Sequence, residues 1–123
     1  MICVISVVIA GIVACHDPRE SAIAAARTLT GGEPARGRTA IAKYGCGGCH
    51  TIPGVEGANA TVGPPLNNIA SRSTLGGHLS NTPDNMKTWI QHPQKIDPKN
   101  VMPDMDVTDQ DAKDITAYLY TLR

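Results

Sequence analysis

The sequence predicts a small all-α domain, three or four helices joined by long loops. Three observations lead there. Apolar residues recur at helical spacing in separate segments, each opened by a capping residue or a proline. No stretch carries a strand signal. Twelve glycines and nine prolines in 123 residues leave much of the chain to turns. Phe is absent, and only Trp89, Tyr44, Tyr118 and Tyr120 are aromatic. That is a poor stock for a core, so a domain of this kind needs a staple.

Residues 1–15 read as an export signal. The apolar run 2–14 is short of the roughly 20 residues that span a bilayer. It resembles the hydrophobic region of a signal, although a basic leader is missing. Ile12-Val13-Ala14-Cys15 looks like a bacterial lipobox, in which Cys15 becomes the lipidated first residue. The alternative is an ordinary signal with Cys15 incidental. Residues 16–32 have linker composition, with Ala-rich 21–26 at most a short helix. A flexible linker of this length reaches roughly 25 Å. It would let a tethered domain, residues 33–123, swing between neighbouring partners.

The domain opens at Glu33-Pro34, with proline favoured at a first helical position. This helix runs to about Tyr44 and stops at Gly45. Gly37 and Ile41 share a face, and Gly37 would let another helix approach closely. Residues 51–65 are loop, and 66–71 could form one helical turn. Asn81-Thr82-Pro83-Asp84 is a helix start. That helix carries Met86, Trp89 and Ile90 and ends before Pro93, after which 93–107 is extended loop. The last helix starts at Thr108, with Asp111 three residues on. Ala112, Ile115, Leu119 and Leu122 follow at helical spacing.

Between the first and middle helices of the domain stands Cys46-Gly47-Gly48-Cys49-His50, the five-residue pattern for covalent attachment of a c-type haem. The two thiols add to the haem as thioethers. Two intervening residues let one tight turn present both sulfurs along one porphyrin edge, and the adjacent histidine is held under the iron. Zinc would need two further ligands, and no second pair follows. A thioredoxin-like pair would want a preceding strand, whereas 35–44 reads as helix. The haem supplies the missing staple, and the long loops have a cofactor to wrap. Attachment of this type is completed outside the cytoplasm, in keeping with the export signal. With Cys3 in the signal and Cys15 for a lipid, no thiol remains for a disulfide.

Over about residues 33–123 the chain resembles class I cytochromes c. The resemblance rests on the haem motif, on Gly63-Pro64-Pro65-Leu66, on Val101-Met102-Pro103 and on Asp114-Ile115-Thr116-Ala117-Tyr118-Leu119. Gly45 to Val55 and Asn81 to Gln91 look most like the cytochrome c domain associated with subunit II of haem–copper oxidases, here standing without a copper-site domain. The resemblance implies the small class I fold, wrapped around one covalent haem c held by Cys46 and Cys49. It implies iron ligation by His50, whose second ring nitrogen donates to the carbonyl of Pro64, with Leu66 packed near the ring. It implies Met102 as the sixth ligand, with Met105 the alternative. A methionine by itself is more often core filler. Thioether ligation raises the potential and closes the iron to other ligands. Arg72 follows Pro64 by eight residues, the spacing of an arginine facing a haem propionate; the alternative is a surface arginine. Trp89 would donate to the other propionate, serve as the main core aromatic, or both. Tyr118 would pack against Gly37 and Ile41. His16, His78 and His92 fall in a linker, a loop and a helix end, poor places for ligands.

Eleven basic and 11 acidic side chains give no net charge, and no basic stripe suits nucleic acid. Asp104, Asp106, Asp109, Asp111 and Asp114 fall close together and read as a solvated helix start, or as a docking patch. The expected function is a membrane-tethered monohaem electron carrier of a bacterial respiratory chain. It would take electrons from a quinol-oxidising complex or a soluble donor and pass them to a terminal oxidase. Its place would be the periplasmic or outer face of the cytoplasmic membrane, with no catalytic residue and no small-molecule substrate. One alternative is a fixed subunit of an oxidase or a periplasmic dehydrogenase. Another is a haem peroxidase or gas sensor, which would need an open sixth position.

Overall fold

A computed structural model describes residues 17–123. The export segment, Cys3, Cys15 and His16 lie outside the described residues. The order is α1 (Pro18–Thr30), α2 (Pro34–Lys43), a 3-10 turn at Cys46–Gly48, a second at Ile69–Ser71, β1 (Thr74–Leu75), β2 (Leu79–Ser80), α3 (Pro83–Gln91), α4 (Pro93–Ile96) and α5 (Asp109–Leu119). This is the expected all-α architecture with one small addition. Gly76 and Gly77 both take positive φ, 56° and 76°, and so build the left-handed turn that lets Leu75 pair with Leu79. A two-residue strand is too short to leave an alternating pattern in the sequence.

α5 is the centre of the fold, because α1, α2 and α3 all pack on it. Ala112, Ile115, Ala117 and Leu119 are buried, as are Ala40 and Ile41 of α2 and Met86 and Ile90 of α3. Each fully buried isoleucine here contributes about 2–3 kcal/mol. The α2–α5 crossing is close. A Cβ at Gly37 would overlap the carbonyl of Asp114, with Ile115 N only 3.0 Å away. Gly37 therefore meets the backbone of α5 one turn before Tyr118. Tyr118 packs on the core cluster that includes Ile41, and it sends its hydroxyl on to the Pro53 carbonyl at 2.6 Å.

Residues 18–30 differ most from the sequence reading. In place of a flexible linker they form a 13-residue helix. Asp17 caps it by accepting from the Arg19 N–H at 2.8 Å, Pro18 opens it, and Gly31 closes it with φ 68°. Ala26 is buried on its inner face. Arg27 forks onto Glu33 with two contacts of 2.8 Å. Alanine-rich composition is poor evidence for a linker when a docked face is available, since Ala is the best helix former.

The caps of α3 and α5 follow the sequence. Thr82 accepts from Asn85 N–H and Thr108 from Asp111 N–H, both at 3.2 Å. Residues 93–96 add a one-turn helix where loop was expected. Asp104, Asp106 and Asp109 are exposed at or before the start of α5, as expected of a solvated run, but three members of the run also reach other helices. Asp109 takes Lys87 at 2.8 Å. Asp111 takes Lys43 at 2.9 Å and the Tyr44 hydroxyl at 2.7 Å. Asp114 is 1% exposed. It accepts from Nε and Nη2 of Arg36 at 2.8 and 3.0 Å, from the Glu33 N–H at 2.7 Å and from Gln110 at 3.2 Å. Burial pushes its carboxyl up, but Arg36 and the two further donors outweigh burial and hold it below the usual carboxylate range. These acids fasten α5 to α2 and α3.

Candidate haem site

The attachment turn begins where α2 ends. Gly45 takes φ 70° and swings the chain out of the helix. The N–H groups of Cys49 and His50 then both donate to the Cys46 carbonyl, at 3.2 and 3.0 Å. This closes one tight turn around two free, half-buried thiols. Burial pushes the Cys46 thiol above its ordinary value.

His50 is oriented from the next loop. Its Nδ1 lies 2.7 Å from the Pro64 carbonyl. A carbonyl oxygen can only accept, so Nδ1 carries a proton, which leaves Nε2 as the nitrogen able to offer a lone pair. The loop is tied back to the turn by Gly63 N–H to the Cys49 carbonyl at 2.7 Å and by Leu66 N–H to the Thr51 carbonyl at 2.8 Å. Gly63 sits directly against the imidazole, where a Cβ would lie 2.8 Å from Nδ1. The sequence reading assigned no part to Gly63, although the run Gly-Pro-Pro was its signal. Behind the turn, Ile52 N–H bonds the Ala58 carbonyl at 3.0 Å. The Tyr118 hydroxyl anchors the same loop to α5.

Cys46, Cys49, His50, Pro64 and Leu66 thus come together through the turn and the loop beside it, and Cys46 and Leu66 also pack on the hydrophobic core. Arg72 joins them from the other side. Its Nη2 donates to the carbonyls of Pro65 and, at 3.0 Å, Asn67. The guanidinium is therefore engaged with the loop rather than free at the surface. Trp89 stands on α3, half buried. Its ring packs on Gly76 and stacks on His78, with centroids 6.2 Å apart and planes at 22°. Met102 is half buried in the loop before α5, and its N–H donates to Asn100 Oδ1 at 2.9 Å. Met105 is more open, at 40% exposed.

Two thiols on one turn, and an imidazole whose ring is fixed by a carbonyl on Nδ1 with Nε2 left to bind, suit a covalently held haem. A bare zinc ion would want more donors. The fold and the site define a single-haem electron-transfer domain. The chain belongs to the cytochrome c family, whose profile matches residues 34–123. Its cofactor is accordingly haem c, attached through Cys46 and Cys49. It is 34% identical over 89 residues to cytochrome c oxidase subunit 2 of Alkalihalophilus pseudofirmus, covering 72% of this chain and 25% of that protein. It is 27% identical over 88 residues to cytochrome c oxidase subunit 2 of Bacillus sp. strain PS3, covering 68% and 25%. The chain spans about a quarter of the length of these relatives. No solved structure matches it significantly.

Proposed function

We propose that this chain is a membrane-tethered cytochrome that passes single electrons to a terminal oxidase of a bacterial respiratory chain. The hydrogen bond from His50 Nδ1 to Pro64 carries this reading, because it presents Nε2 as a ready ligand in a fixed ring plane. When bound, the haem supplies one-electron Fe(II)/Fe(III) chemistry. The protein's part is to fix the ligands and exclude water. His50 and Met102 would hold the iron, with Pro103 stiffening the loop that carries the Met102 sulfur. Arg72 and Trp89 would face the propionates. The apolar run and lipobox ending at Cys15 support export and lipid anchoring at the periplasmic or outer face of the membrane. Electrons would arrive from a quinol-oxidising complex or a soluble donor.

A second reading, a fixed subunit of an oxidase complex, is favoured by two observations. The relatives are named as oxidase subunits. The helical α1 also removes most of the expected linker, leaving little free chain between Cys15 and the folded domain. Co-purification with an oxidase from a detergent extract separates the two.

The ligation is tested by the weak long-wavelength absorption of ferric iron bound to a thioether. The band is expected in the parent and in Met105→Ala, and lost in Met102→Ala. Its absence from the parent would remove the closed-site reading and favour haem catalysis or sensing.

A further inference from the structure

Two side chains far from the attachment turn converge on the segment that orients His50. Asn81 stands just before α3 and is half buried. Its Nδ2 donates to two carbonyls, those of Ile69 and Arg72, each at 2.8 Å. One amide nitrogen has two hydrogens, so both are spent on this segment. Its Oδ1 accepts from the Tyr120 hydroxyl at 2.9 Å. Tyr120 is 6% exposed, at the C-terminal end of α5. Burial pushes its phenol up, so the hydroxyl remains a donor. The backbone held by Asn81 is that of Arg72, whose guanidinium clamps the carbonyls of Pro65 and Asn67. Next to Pro65 is Pro64, the acceptor for His50.

We propose that Asn81, backed by Tyr120, is a positioning residue for the haem-ligating histidine: it fixes the 64–72 segment so that the Pro64 carbonyl stays on His50 Nδ1. The inference rests on His50 being the proximal ligand. The order of the contacts gives it direction. Tyr120 caps the C-terminal end of α5, the most buried helix, so the chain of bonds runs from the rigid centre to the imidazole. Without it, the segment would hang on two backbone bonds to the turn, one from Ala70 N–H to the Leu122 carbonyl at 3.1 Å, and its own local turns. A carbonyl that drifts from Nδ1 leaves the ring free to rotate and makes it a weaker electron donor to the metal.

The experiment uses the ferric holoprotein. Proton resonance follows the iron-shifted Nδ1–H of His50 and its exchange with deuterated solvent, and voltammetry follows the midpoint potential. Asn81→Asp removes both donations yet keeps an acceptor for Tyr120, and Tyr120→Phe removes only the outer bond. Asn81→Asp is expected to speed exchange about tenfold, the fold-change of one lost hydrogen bond; its added negative charge itself favours ferric iron, so the potential is read in the uncharged Tyr120→Phe, where it is expected to rise. On exchange, Tyr120→Phe is expected to act in the same direction with smaller size, and the double variant to match Asn81→Asp. Ile115→Val serves as a stability control that lowers the melting temperature without touching the segment. If exchange stays at the parent value in both variants, and the potential at the parent value in Tyr120→Phe, while melting falls as in the control, the two residues are only structural and the proposal is overturned. Should Asn81→Asp fail to fold, Tyr120→Phe alone decides. A parent with no iron-shifted Nδ1–H overturns the ligation itself, and this inference with it.

Discussion

The two loops that carry the proposed iron ligands are held in different ways. The loop beside His50 is tied by bonds that cross the sequence: Gly63 to Cys49, Leu66 to Thr51, and the 64–72 segment to Asn81. The loop of Met102 is shaped mainly by side chains that bond their own neighbours. Asp97 accepts from Lys99 N–H at 3.0 Å, Asn100 from Met102 N–H at 2.9 Å, and Asp104 from Asp106 N–H at 3.1 Å. Bonds of that range make turns, but they do not fasten a loop to a body. Its ties to other elements are sparser: Gln91 to the Val107 carbonyl at 3.1 Å, and His78–Asp97 and His92–Asp104, each at 3.4 Å. Val101, next to Met102, is 84% exposed. Local opening should therefore free the methionine side first. The histidine side should yield only when the scaffold does.

Removing the haem attachment is expected to have the largest effect, because it takes the centre from both loops. A Cys46→Ala, Cys49→Ala double variant should lose most of its helical circular dichroism; native helix content would show a scaffold that stands alone. Gly63→Ala strikes the histidine side directly. It should cost about 3 kcal/mol in denaturant unfolding, since the new methyl must displace the imidazole or the loop. Asp114→Asn loosens the frame beneath that side and should cost about 2 kcal/mol at neutral pH. Its pH dependence follows from the depressed native carboxyl. The stabilisation is complete above the unfolded value of about 3.9 and is lost as pH falls through the native value. The gap between parent and variant should thus close in acid, as read by unfolding titrations at several pH values. Asn100→Ala addresses the methionine side. It should change global stability by about 0.5 kcal/mol, yet raise the rate at which added imidazole displaces the sixth ligand. Asp111→Asn is expected to be the mildest, because its pair with Lys43 is exposed and screened by salt.

Much of this contrast was legible in the sequence where the cause is local. The haem motif, the Thr82 and Thr108 caps and the Gly45 stop each depend on residues within a few positions. Pro64 as the partner of His50 came from the family resemblance, and the structure joins those two atoms. What stayed hidden depends on distant contacts. Residues 18–30 looked like a linker because nothing local shows that α1 has α5 to dock on. Asp114 looked solvated because its partners, Arg36 and the Glu33 N–H, lie about 80 positions away. Asn81 read only as part of a helix start: the turn expected over 66–71 is there at Ile69–Ser71, but nothing local shows that the carbonyls of Ile69 and Arg72 meet Asn81.

Carbon monoxide binding to the reduced protein at neutral pH tests the central claim most directly. A closed His50/Met102 site in an electron carrier predicts little or no spectral change on a mixing timescale, with binding appearing in Met102→Ala. Rapid, saturable binding by the parent would mean that the sixth position is open, and would contradict the electron-carrier account.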